Sequence, residues 1–185
     1  ECGGKICSVV DVTMKEGDMR KWDVQGGIGL IASRLTVQGP LKKEKCSIIV
    51  SGRRTYIDLI AAPIFKHVAN GQFSGNSYYF YDLNAKINYR ISDRDRLFLS
   101  GYYGKDVFNF TDPGGTFKVS FPWGNAAASL RWNHLFSDQL FLNTTLTYNN
   151  FGFQANTNFQ SITFNLSSLV QDATAKMQFE YSPLL

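Results

Sequence analysis

Hydrophobic and polar side chains alternate one for one along much of this chain. Trp22, Val24, Gly26, Ile28 and Leu30 interleave with Asp23, Gln25, Gly27 and Gly29, and Leu35 and Val37 with Arg34, Thr36 and Gln38. The same pattern runs through Leu83, Ala85, Ile87, Tyr89 and Ile91, and through Leu97, Leu99, Gly101 and Tyr103. It returns at Ala126 to Asn133, at Leu140 to Asn149 and at Thr174 to Tyr181. Successive side chains leave opposite sides of an extended backbone, so a period of two predicts strands with one apolar and one polar face. The stretch Cys46 to Tyr56 is less regular, because Ile48, Ile49 and Val50 are consecutive. About eight strands are expected.

The connections should alternate in length. Ser92-Asp93-Arg94-Asp95, Ser137-Asp138-Gln139 and the polar stretch from Pro40 to Lys45 read as tight turns, built from residues that bond their own backbone. Longer joins are expected at Ile57 to Tyr78, Phe110 to Gly124 and Phe151 to Ser161, with a tight exception near Ile31 to Ser33. Within the second of these, Asp112-Pro113-Gly114-Gly115 signals a turn in which proline fixes φ and glycine supplies a positive φ.

Composition narrows the class. Of 185 residues only 18% are charged and 15% are aromatic, while 44% are hydrophobic, too apolar for a disordered chain. The longest apolar run, Leu59 to Phe65, is far short of the ~20 residues of a membrane-spanning helix and contains Pro63. No signal peptide is visible in Glu1-Cys2-Gly3-Gly4-Lys5, so either an export signal has been removed or this is not the natural start. Cys2, Cys7 and Cys46 are odd in number and only two histidines are present, which argues against a zinc site and leaves a Cys2–Cys7 bridge without support. The net charge of +4 comes from scattered basic residues and does not point to nucleic acid. No cofactor is called for. The three acceptor-like triplets at Asn109, Asn143 and Asn165 read as chance.

Alternation alone fits both a soluble sandwich and a membrane barrel. Two features favour the barrel: the polar face is rich in Asn, Thr, Gln, Lys and Arg along nearly the whole strand, and aromatics sit towards strand ends at Trp22, Tyr89, Tyr103, Trp132, Tyr148 and Tyr181. In hydrocarbon only a closed sheet pairs every strand. The fold class expected is all-β: an antiparallel transmembrane β-barrel segment of about eight strands.

Gly3-Gly4-Lys5 through Ser8-Val9-Val10-Asp11-Val12, then Met14-Lys15-Glu16-Gly17, resembles the junction of plug and barrel in TonB-dependent outer-membrane receptors of the Bacteroidetes type. Gly27 to Pro40 is similar to that family's first barrel hairpin, and Ser51-Gly52-Arg53-Arg54-Thr55-Tyr56 to its third strand. The likeness covers most of the chain and is densest from Gly3 to Tyr56; order and spacing carry it. It implies residues 1–17 as the end of a plug domain and 18–185 as the first part of a 22-stranded barrel in a bacterial outer membrane. It also implies active import of a scarce nutrient, with the TonB complex, membrane lipid, the unidentified nutrient and a surface lipoprotein as partners.

Candidate residues follow from loops and faces. Tyr78, Tyr79 and Tyr81, with Phe80, lead out of the first long join, and Phe117, Phe121 and Trp123 lie in the second; they could contact a ligand or anchor the chain at the interface. Arg53, Lys86, Arg90, Arg131 and Lys176 share the polar face and should look into the lumen or onto the plug, or else be solvated there. Arg54 has the opposite parity and belongs near the upper interface. Two other functions stay open: a stand-alone eight-stranded barrel with a structural or adhesive role, and an outer-membrane hydrolase. His67 and His134 belong to no nucleophile motif, so no enzymatic activity is expected.

Overall fold

The computed structural model describes residues 14–56, 58–60, 63 and 76–183. The plug junction up to residue 13, Cys2, Cys7 and His67 lie outside the described residues. Eight strands form one antiparallel sheet in sequence order: β1 (Asp23–Ile28), β2 (Ala32–Lys42), β3 (Cys46–Thr55), β4 (Ser77–Arg90), β5 (Asp95–Thr111), β6 (Phe117–Ser137), β7 (Leu140–Phe159) and β8 (Ile162–Tyr181). The all-β expectation holds, and so does the strand count. No described helix is long and apolar enough to cross a membrane.

Strand length departs from expectation. Phe110 to Gly124 and Phe151 to Ser161 are not long joins: β5 runs on to Thr111, β6 starts at Phe117, and β7 meets β8 through two residues. Of the three long connections only residues 56–76 remains one. The Asp112 turn forms where the sequence placed it, with Gly115 at φ 69°, and the two-residue turn after β7 puts Gln160 at φ 53°. With about 3.3 Å per residue, the 21 residues of β6 reach about 70 Å.

The register assigns every side chain to a face. One face carries Gln25, Thr36, Gln38, Ser47, Ser51, Asn84, Lys86 and Asn88, which lie opposite one another across β1 to β4. Residues from Met14 onward lie over this polar face: Lys86 Nζ donates to the Met14 carbonyl at 3.0 Å, and Asn88 Nδ2 donates to Glu16 Oε2 at 2.7 Å. A Cβ on Gly17 would collide with the Ile48 backbone, so only glycine lets that segment lie so close to β3.

Burial is inverted relative to a water-soluble domain. The buried polar residues Gln38, Ser47, Thr55, Lys86 and Asn88 all lie on the covered face, with Ser47 at 0% and Asn88 at 1% exposure. The opposite face leaves Leu35, Leu83, Leu99, Leu130 and Leu146 open, Leu83 at 49%. Only Phe98 and Leu142 are buried hydrophobic residues among those described. Among the described residues no second sheet packs on the apolar face, so they form no sandwich with a dry interior.

Candidate functional site

The apolar face has a definite height. Trp22, Tyr89, Trp132, Phe136 and Tyr181 mark it near the short-turn end, and Tyr81, Tyr103 and Tyr148 near the other. From Tyr81 to Tyr89 is nine residues, the length of a tilted strand crossing hydrocarbon, about 9–11 residues. Trp22 lies flat over Gly39, whose missing Cβ leaves room for the indole. Beyond the tyrosines the same face turns polar, with Lys105, Asn109, Lys118, Ser120, Asn156 and Asn158.

The polar face does the reverse. At that height it carries a chain of rings contributed by β4, β6 and β7. Tyr78 lies 6.3 Å from Phe80 and 6.5 Å from Trp123, the latter stacked at 27°. Phe121 continues the chain to Trp123 at 5.3 Å and to Phe153 at 5.7 Å. Further out, Phe117 sits between Phe110 at 6.3 Å and Phe159 at 6.5 Å. Polar groups line the inner margin: Tyr78 Oη donates to Asp106 Oδ1 at 3.3 Å, and Arg53 pairs with Asp82 at 2.7 Å while lying 4.9 Å over the Phe80 ring. Flat faces beside fixed acceptors and a guanidinium suit a ligand with rings or a sugar with hydroxyls.

The register divides the six aromatic candidates. Tyr78, Phe117, Phe121 and Trp123 share the polar face, whereas Tyr79 and Tyr81 have the other parity and look away from it. Tyr81 packs against Tyr103 at 6.1 Å and Tyr79 lies under Arg54 at 5.8 Å, so both belong to the tyrosine border instead. Phe117, Phe121 and Trp123 stand on β6, not in a loop.

Arg53, Lys86, Arg90, Arg131 and Lys176 all fall on the polar face. They do not form one cluster. Arg53 is committed to Asp82, Arg90 pairs with Asp93 at 2.5 Å in the short turn, and Lys86 lies 3.9 Å from Glu16 Oε1. Phe98 lies between Lys86, at 5.3 Å from its centroid, and Arg131, at 4.5 Å. Ser47 Oγ, Asn88 Oδ1, Arg131 Nε and Asn133 Oδ1 are buried here without a hydrogen-bond partner among the described residues. Such a surface favours polar company, because an unpaired buried polar atom costs about 1–3 kcal/mol.

Asp82, Asp106 and Phe153 were not singled out by sequence. Asp82 has the parity of Lys86 and Arg90, a signal already present; Asp106 and Phe153 needed the full length of β5 and β7. His134 stands at the turn end with Nδ1 2.6 Å from Asp95 Oδ1, far along the sheet from the rings.

No protein-family model matches the chain, and no curated protein matches it. Among solved structures it is similar to the ferric yersiniabactin uptake receptor FyuA from Yersinia pestis, at a TM-score of 0.38 and 11% identity. That match covers 85% of this chain and 38% of the receptor's, so the chain spans well under half of its length.

Proposed function

We propose that this chain is part of the wall of a plugged outer-membrane β-barrel of the TonB-dependent type, which imports a scarce ring-bearing nutrient. The observation that carries the reading is the inversion of burial: polar side chains lie beneath residues 14–18, while an aromatic-bordered apolar band lies bare. A soluble domain would pay heavily for that arrangement; a bilayer rewards it, since lipid covers the band. In this reading residues 1–17 end the plug and residues 18–185 begin the barrel. The Lys86 and Asn88 contacts tie the two together, and TonB acts through the plug. A surface lipoprotein is a further candidate partner.

Nutrient capture falls to Tyr78, Phe121 and Trp123, with Asp106, Asp82 and Arg53 supplying hydrogen bonds. The rings and Asp106 sit beyond the tyrosine border, on the watery side, where a ligand arriving from outside first meets the wall, and Arg53 and Asp82 stand at their inner margin. In this reading these groups bind the nutrient, and transport without chemistry is the proposal. Deleting the full-length gene and screening growth on candidate nutrients tests it; loss of uptake of one nutrient is expected. Unchanged uptake of all of them removes the import reading.

The stand-alone eight-stranded barrel fits less well. It needs β1 to pair with β8, yet the sheet order runs open from β1 to β8. Among the described residues β8 has no partner on its outer side, including the part level with the apolar band, and hydrocarbon does not tolerate an unpaired edge there. We therefore propose that further strands complete the barrel.

A further inference from the structure

The apolar face carries a feature that nutrient import does not use. The register sets Ser33, Arg54, Tyr81, Lys105, Gly124 and Gly152 side by side in one row across β2 to β7. Arg54 and Lys105 thus flank Tyr81 on the outward surface, two strand spacings or about 10 Å apart. Neither forms an ion pair with a described residue. The strand carboxylates Asp23, Asp82, Asp106, Asp172 and Glu180 all lie on the other face, and Asp95 lies on this one only at the short-turn end. At the tyrosine border this face therefore carries Arg54 and Lys105, and beyond it Lys118, with no strand carboxylate.

The next row inward supplies the complement. Gly26, Leu35, Gly52 and Leu83 are neighbours across β1 to β4. The two glycines leave a floor and the leucines stand beside it, with Leu35 Cδ1 3.7 Å and Leu83 Cδ1 3.8 Å from where the glycine Cβ atoms would be. The result is an open apolar groove of about 780 Å³ that reaches Arg54 and Tyr81 at its outer end. Cations at the border of the band, with a greasy groove running away from them into it, match a molecule with an anionic head and acyl chains.

Building on the membrane reading above, we propose that Arg54 and Lys105 hold the phosphate of a lipid of the surrounding leaflet, whose acyl chain lies along the Gly26–Gly52 groove. Tyr81 stands between the two cations, at the depth where an amphipathic ring meets headgroups. Phosphate attracts both cations, as an anionic headgroup layer attracts basic residues lying close to it. Free phosphate lacks the chain that fills the groove and so binds far more weakly.

The test uses the full-length protein, purified in detergent and stripped of lipid, titrated in mixed micelles with dioleoyl phosphatidic acid. Saturable binding is expected, weakened about tenfold in the double variant Arg54→Gln, Lys105→Gln. The exchange Arg54→Lys with Lys105→Arg should keep it, and Lys43→Gln, in the opposite turn, should leave it unchanged. Equal binding of phosphatidylcholine, competition by inorganic phosphate at the same concentration as the lipid, or an unaffected double variant would each overturn the proposal. A protein that enters neither micelles nor bilayers would instead remove the membrane reading beneath it.

Discussion

Glu16 and Asn88 meet across the polar face, 72 residues apart in sequence: Asn88 Nδ2 donates to Glu16 Oε2 at 2.7 Å, and Lys86 stands 3.9 Å from the other carboxylate oxygen. Asn88 is almost wholly buried while Glu16 is about two-fifths exposed. The carboxylate thus closes over a polar wall that would otherwise face it with unpaired donors. Glu16→Ala should loosen residues 14–18 by about 1 kcal/mol, a charged hydrogen bond discounted for exposure. Faster amide exchange in that segment, with β4 unchanged, is the expected readout.

Trp22 over Gly39 makes a sharper steric case. A Cβ at position 39 would fall inside the indole, so Gly39→Ala must move the ring off the strand. We expect about 1–3 kcal/mol of destabilisation, as for overpacking elsewhere. The Trp22 emission should also shift, measured with Trp123 and Trp132 replaced by Phe.

Asp112 gives a pH dependence with a definite sign. Its carboxylate accepts the Phe117 amide at 2.6 Å, the Thr116 hydroxyl at 3.0 Å and the Gly114 amide at 3.2 Å. The Phe117 amide bond above all holds its pKa below the ordinary 3.8. A depressed carboxylate stabilises the fold above its unfolded pKa and stops doing so as pH falls through the lower folded value. Protection of the Phe117 amide should be flat from pH 7 to 5 and disappear only below about 4. Asp112→Asn should abolish that acid step.

The rings predict a split by parity. Trp123→Ala should weaken uptake of the nutrient found in the deletion screen about tenfold or more, since stacked aromatics dominate such contacts. Tyr79→Ala, two strands away on β4 and on the opposite face, should stay within about twofold.

The faces were legible because period two survives wherever one side is apolar, as from Leu83 to Ile91 and from Ala126 to Asn133. The upper halves of β5 to β8 were not, and the reason is physical. Beyond the tyrosines Val119, Phe121 and Trp123 alternate with Lys118, Ser120 and Pro122, so alternation continues with its sign reversed. The apolar side now looks inward and the polar side outward, which breaks a pattern followed by parity and makes a strand look like a loop. Pro122 adds to this, and Phe121 and Pro122 are where the β6–β7 pairing is interrupted. The same reversal hid the site: Phe153 and Asp106 gain meaning only once Trp123 is known to stand beside both.

The central claim is that the bare face of this sheet touches lipid. The most direct measurement places single spin labels at adjacent residues of β5, Leu99→Cys and Ser100→Cys, in full-length protein with Cys2, Cys7 and Cys46 changed to Ser, reconstituted in vesicles. The account predicts that the label at 99 is relaxed by oxygen and shielded from a water-soluble nickel chelate, and that the label at 100 is not oxygen-exposed. Nickel access at 99 equal to that of an exposed turn residue, or the reverse order of the two sites, would contradict it.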